Sequence, residues 1–211
     1  QLCELLSRAY RTNMHRGKAL LQRDWLRETE GLIALSGGAS GDIGAALLQD
    51  NTSMAARCAH AWISDFPGRF YLEIQRCGAP DEARWVERTL DLASELAIPV
   101  VATHPVQFAA ADDYTAHEAR VCIAEGYVLG DKRRRSRFTT EQYFKSQQEM
   151  AQLFADVPEA LQNAVEIAKR CNVEFELGKA RLPVFPTPAG VTLDDYMAQE
   201  AQRGLHARLA Q

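Results

Sequence analysis

The chain has 211 residues, 46% of them hydrophobic and 25% charged, with a formal net charge of −4. That is an ordinary soluble globular composition with room for a substantial core. The acidic balance argues against a dedicated nucleic-acid binder, whose footprint is basic. No apolar run approaches the roughly 20 residues of a membrane span, and no secretory signal opens the chain. The five cysteines, Cys3, Cys58, Cys77, Cys122 and Cys171, are widely spaced and form no CxxC pair. This usage suits a reducing compartment and gives no zinc-finger signal, so the expected location is the cytoplasm. The first residue is not Met and lies at the start of an amphipathic helix, which reads as a fragment of something longer.

In chain order, Leu2, Leu5, Leu6 and Ala9 mark that first helix, ending near Arg11. Asn13 to Lys18 reads as a polar loop, and Arg23 to Thr29 as a short helical segment carrying Trp25 and Leu26. Leu32 to Ser36 is a short apolar run with the length of a buried strand. It is closed by Gly37-Gly38 and followed by the glycine-rich turn Ser36 to Gly41, which opens a helix to about Leu48. Such a turn can cradle phosphate, but it fits neither the Walker pattern nor GxGxxG, and tight-turn glycines are the preferred reading. Ser53 to Phe66 forms a further helix with Ala56, Ala59, His60 and Ile63 on one side.

The stretch Arg69 to Phe108 organises the chain. Arg69 to Gln75 alternates apolar and polar residues at period two, the pattern of a half-buried strand. Asp81 to Ala97 is helical, with Val86, Leu90, Ala93 and Ala97 on one face. Ile98 to Thr103 is an uncharged apolar run, as in a strand buried on both sides. The unit is therefore βαβ with parallel strands, and chemistry in such folds sits beyond the carboxyl ends of the strands. Those ends carry Glu73, Gln75, Arg76 and Cys77, then Thr103, His104, Pro105 and Gln107.

Beyond it, Asp112 to Glu125 reads as a helix with Ala116, Ala119, Cys122 and Ile123 inward. His117 lies on it beside Glu118 and reads as a structural histidine. The Lys132-Arg133-Arg134-Arg135 run in the loop that follows reads as solvated rather than as a DNA contact. Thr139 and Gln142 form the sequence signature of a capping box for a helix to Phe154. Pro158 starts another helix, with Leu161, Ala164, Val165 and Ala168 inward and Asn172 as its left-handed cap. Val173 to Leu177 reads as an edge strand. Pro183, Pro186 and Pro188 make an extended linker, and Thr192 caps a last helix running to Gln211. The alternation of strands and helices favours an α/β class with a mainly parallel sheet and extra helices.

Several ordered stretches carry a resemblance: Leu32 to Gly37, Tyr71 to Gln75, Pro99 to Thr103, Asp156 to Leu161, Glu166 to Cys171 and Leu182 to Pro186. Together they resemble the PHP (polymerase and histidinol phosphatase) domain of the bacterial DNA polymerase III alpha subunit, over essentially the whole chain. The resemblance implies a partial, distorted β/α barrel over residues 1–182 that lacks its first strands. It implies a linker and first helix over 183–211 that lead to the polymerase palm region. The implied partners are the rest of the alpha subunit, the proofreading exonuclease subunit, and DNA through the full holoenzyme, with no membrane. Magnesium is expected for the full-length polymerase and no cofactor for this segment, since the polymerase's catalytic aspartates would lie beyond Gln211. A barrel cut open in this way would expose strand edges and aggregate.

Metal-competent members of that family place ligands at four positions that fall in this chain. Glu73 matches the family's glutamate. Cys77 stands in place of a His, Pro105 in place of an Asp, and Gln107 in place of a His. Proline offers no ligand atom and a neutral amide is a poor substitute for imidazole. His104 sits beside these positions rather than on one. The expectation is therefore a degenerate metal site, no catalytic residue, and a structural or scaffolding role. With no metal at hand, Glu73 would bond Arg76 or groups on neighbouring strand ends. The alternatives are an active metal-dependent phosphoesterase or proofreading-type nuclease, and a nucleic-acid-binding module, which the net charge disfavours.

Overall fold

The computed structural model describes every residue except Glu28, Lys132, Arg135, Phe175, Ala180, Arg181 and Gln211. Two compact units emerge, Gln1–Cys171 and Asn172–Gln211. The larger opens with helix α1, Leu2–Thr12, which buries Leu5 and Ala9 and leaves Leu2 and Leu6 exposed. The polar stretch after it is a small hairpin rather than a loop: strand β1, Met14–His15, pairs antiparallel with β2, Lys18–Ala19. Arg16 and Gly17 at its tip both have positive φ, as a tight hairpin turn requires. The helical turn that follows is 3₁₀, Arg23–Leu26.

The sheet has three parallel strands in the order β3-β4-β5: Ala34–Leu35, Phe70–Gln75 and Val100–Thr103. Helices α2, Asp42–Leu48, and α3, Thr52–Asp65, lie between the first two strands, and α4, Glu82–Leu96, between the last two. Later come α5, Tyr114–Glu125, α6, Gln147–Leu153, and α7, Pro158–Arg170, the last packed on β5. The class is α/β with a parallel sheet.

Strand β4 departs from the half-buried reading, because Phe70 to Ile74 are all buried. It is the central strand. Phe70, Leu72 and Ile74 join the core with Ile43, Leu47, Ala59, Trp85 and Phe154. The opposite face, Tyr71, Glu73 and Gln75, turns polar toward the carboxyl end. The inward face of α4 is set by Trp85, Val86, Thr89, Leu92 and Ala93. Leu90 is only partly buried, and Ala97 is an exposed left-handed cap with φ 53°. Helix α3 buries Ala55, Ala59 and Asp65, while His60 is exposed.

Four further expectations are corrected. Helix α5 turns His117, Glu118 and Cys122 inward and leaves Ile123 83% exposed. Helix α6 starts after Ser146, whose hydroxyl accepts from the Glu149 N–H while the Glu149 carboxylate accepts from the Ser146 N–H. Thr139 and Gln142 keep half of a capping box, the Thr139 N–H donating to Gln142 Oε1 at 2.9 Å, but the chain there runs on to a bridge between Phe108 and Tyr143. In α7, Val165 and Ala168 are exposed, and Asn163 donates to Val100 O at 2.7 Å. The C-cap of α7 is Cys171 in an extended conformation, so Asn172 is not a left-handed cap.

The smaller unit holds α8, Leu193–Leu209, capped by the Thr192 side chain. Within it, Phe185 packs on Tyr196. The described residues of 173–177 form no strand, and Val173 and Leu177 are 71% and 88% exposed; Phe175 lies outside the described residues.

Candidate functional site

The carboxyl ends of β3, β4 and β5 meet in one polar cluster. Glu73 is 9% exposed, and its Oε1 accepts hydrogen bonds from the Gln75 amide at 2.8 Å and from the Thr103 hydroxyl. The same Gln75 amide donates to Thr103 Oγ1 at 3.1 Å, closing a triangle across the β4–β5 register pair. From the β3 side, Ser36 Oγ accepts from the Glu73 N–H at 2.9 Å. Glu73 thus bonds to a neighbouring strand end, one of the two anticipated arrangements, and not to Arg76.

Arg76 turns the other way. It makes a two-pronged bond to Asp156, at 2.6 and 2.7 Å, and donates to Leu153 O at 2.6 Å. Its guanidinium also lies over the Phe154 ring. The hydrogen bonds from Arg76 hold the Asp156 carboxyl below the usual range.

Cys77 is buried, and its loop is shaped by an unanticipated residue, Glu82. The Glu82 carboxylate accepts from the backbone N–H groups of Cys77, Gly78 and Ala79, at 2.6, 3.1 and 3.3 Å. Burial, reinforced by the Glu82 charge and hydrogen bond, pushes the Cys77 thiol up to about 11.

The chain just after β5 is laced to the segment 139–144. His104 Nε2 lies 2.8 Å from Glu141 O, so that nitrogen carries the proton, and Nδ1 is buried with no partner among the described residues. Gln142 donates to Pro105 O at 3.0 Å, and the Gln107 N–H donates to Gln142 O at 2.8 Å. Thr139 donates its hydroxyl to Cys77 O and ties that segment to the loop after β4. Pro105 and Gln107 act here through backbone groups.

These residues do not fit the metal cluster of the resembled family. Pro105 offers no ligand atom in its side chain and Gln107 only a neutral amide, so two of the four positions lack a suitable ligand. Among the described residues, no group of three or more His, Cys, Asp or Glu side chains is disposed to hold an ion.

The other singled-out residues lie apart from this cluster. His117 packs against Phe108 and Phe138, with Nδ1 3.2 Å from the Arg120 guanidinium. Within the basic run, Arg133 pairs with Asp131 at 2.6 Å. Arg134 pairs with buried Glu118, which corrects the solvated reading for that residue; Lys132 and Arg135 lie outside the described residues. The glycines of 37–44 serve close packing: a Cβ on Gly41 would sit 1.8 Å from Ser36 O, and one on Gly44 2.2 Å from Gly38 O.

Comparison with known proteins places this cluster in context. Residues 1–77 match the PHP domain family. Over 209 residues the chain is 46% identical to the DNA polymerase III subunit alpha of Pseudomonas aeruginosa, covering 99% of this chain and 18% of that protein. The chain is homologous to the PHP region of the DNA polymerase III alpha subunit. The Neisseria meningitidis serogroup A alpha subunit is 48% identical over 219 residues, covering 100% of this chain and 19% of the relative. The Escherichia coli K12 alpha subunit is 44% identical over 207 residues, 98% of this chain and 18% of the relative. The chain thus spans less than a fifth of the alpha subunits it matches. No helix among the described residues is long and apolar enough to cross a membrane.

Proposed function

We propose that this chain is a scaffolding segment of a replicative DNA polymerase III alpha subunit, with a PHP mouth that no longer holds a metal cluster. The full protein is then a magnesium-dependent, DNA-directed DNA polymerase working in the cytoplasm. In this reading, residues 1–182 belong to the distorted β/α barrel and 183–211 lead toward the polymerase domains. Its partners are the rest of the alpha subunit, the proofreading exonuclease subunit and, through the assembled enzyme, DNA. The observation that carries the reading is the commitment of Glu73, the one residue of the four that matches the resembled family's ligand, to Thr103 and Gln75. The segment therefore contributes shape and docking surface, and catalysis lies elsewhere in the polypeptide.

Elemental analysis of the purified full-length protein tests this. Zinc and manganese are expected well below one ion per chain after dialysis, with no metal-stimulated hydrolysis of p-nitrophenyl phosphate. A stoichiometric metal cluster lost on changing Glu73 to Gln would overturn the scaffold reading.

A further inference from the structure

Helix α4 carries more apolar surface than its neighbours cover. Trp85, Thr89 and Leu92 point into the core, while Ala83 and Leu90, at helical spacing with Val86, border an open groove. The groove has two adjoining parts, of about 400 and 440 Å³, that share Leu90 and Asp156. It runs along α4 from Glu82 to Ser94, and the start of α7 forms the facing wall. At about 1.5 Å per residue that is roughly 18 Å, enough for three turns of a docked helix.

Its charge is one-sided. The charged residues lining the two parts are Arg76, Glu82, Glu87, Asp156 and Glu159. Arg76 and Asp156 offset each other as an ion pair, and the Glu82 carboxylate is taken by three backbone N–H groups, so the groove's charge comes from Glu87 on one wall and Glu159 on the other. The cations on the other side of α4, Arg84 and Arg88, are drawn off to the carbonyls of Leu48 and Leu47. An apolar floor with acidic walls on both sides is complementary to a helix bearing an apolar stripe flanked by lysines or arginines.

We propose that the groove between α4 and α7 is a docking site for a basic amphipathic segment of a partner protein. This goes beyond the scaffold reading and does not depend on whether the mouth holds metal. Glu87 and Glu159 select the partner's charge and steer its approach, and Ala83 and Leu90, above a floor of buried Val86 and Val157, take up its apolar stripe.

The test uses the full-length protein and three fluorescent helix-forming peptides of about 15 residues. One has leucines at helical spacing with lysines between them, one replaces lysine with glutamate, and one replaces leucine with serine. The Leu/Lys peptide alone is expected to bind, and its affinity should fall at least about tenfold in the Glu87→Lys/Glu159→Lys variant and in Leu90→Ser. Both changes sit on a groove wall, and unchanged melting temperatures confirm that the variants fold. Equal binding of the Ser/Lys peptide would show that charge alone acts, and would overturn the proposal. Retention of full affinity by the charge-reversed variant would do the same. Metal analysis of the mouth reads the scaffold proposal separately, so either can fail alone.

Discussion

At Glu73 the sheet keeps a carboxylate nearly out of water and satisfies it with neutral donors, the Thr103 hydroxyl and the Gln75 amide. An isolated buried carboxylate would be far more costly. Glu73→Gln preserves shape and an acceptor but removes the charge assistance, so a loss of about 1–3 kcal/mol is expected in denaturant unfolding. Polymerase activity of the full-length protein should survive once stability is corrected for; abolished activity at an unchanged melting temperature would make Glu73 catalytic. Cys77 gives a pH signature. Its folded value is raised to about 11 from 9.0, so its contribution is complete below pH 9 and is lost as pH rises through about 11. Thermal melts of Cys77→Ser should show a weaker alkaline decline than wild type; identical curves would contradict the assignment. The position of Glu73 was legible from strand periodicity, and of its two anticipated partners the neighbouring strand end is the one it bonds. Arg76 is three residues away in sequence, yet a strand sends alternate side chains to opposite faces, and Arg76 finds Asp156 80 residues on.

Between elements, polar clasps do much of the fixing. Asp65 at the end of α3 receives Arg23 at 2.5 Å and Arg27 at 3.2 Å from the preceding 3₁₀ turn. Burial pushes its carboxyl up, and the two arginines more than reverse this, leaving it below its ordinary value. Its stabilisation is therefore present above about pH 4 and lost as pH falls through the lowered value. Asp65→Asn should cost about 2 kcal/mol, less than the roughly 3–5 of a fully buried pair, because the arginines are 37% and 62% exposed. Acid unfolding of that variant should start from lower stability and show a shallower slope; a parallel slope would sink the assignment. Gly44→Ala brings a methyl against Gly38 O and should cost about 1–3 kcal/mol in thermal unfolding. Most helices and the three parallel strands were legible in hydrophobic period, because burial follows that period. The face of α4 was misjudged because its apolar arc spans both the core and the groove, and one-dimensional spacing does not say which side is covered. Helix α6 was started too early because Thr139 and Gln142 carry a capping signature that the Phe108–Tyr143 bridge overrides.

For the molecule as a whole, the described residues of 172–192 lie outside helices and strands and are nearly all exposed. Such segments are the preferred sites of proteolysis. Limited trypsin treatment should cut first after Lys179, releasing a fragment that contains α1 to α7 and melts close to the parent. First cleavage inside α4 or α7 would contradict the division into units. The overall class was readable from the alternation of strands and helices. The path of 173–177 was not, since β-favouring residues there find no neighbouring strand among the described residues to pair with.

The loop after β4 takes its form from the Glu82 carboxylate, which gathers three successive backbone N–H groups. The template for residues 77–79 is thus a side chain in the first turn of the following helix. Position 77 can therefore change its side chain while the backbone stays where it is. The turn is thereby held from its backbone, and its shape depends on the carboxylate at position 82 rather than on the side chain at position 77.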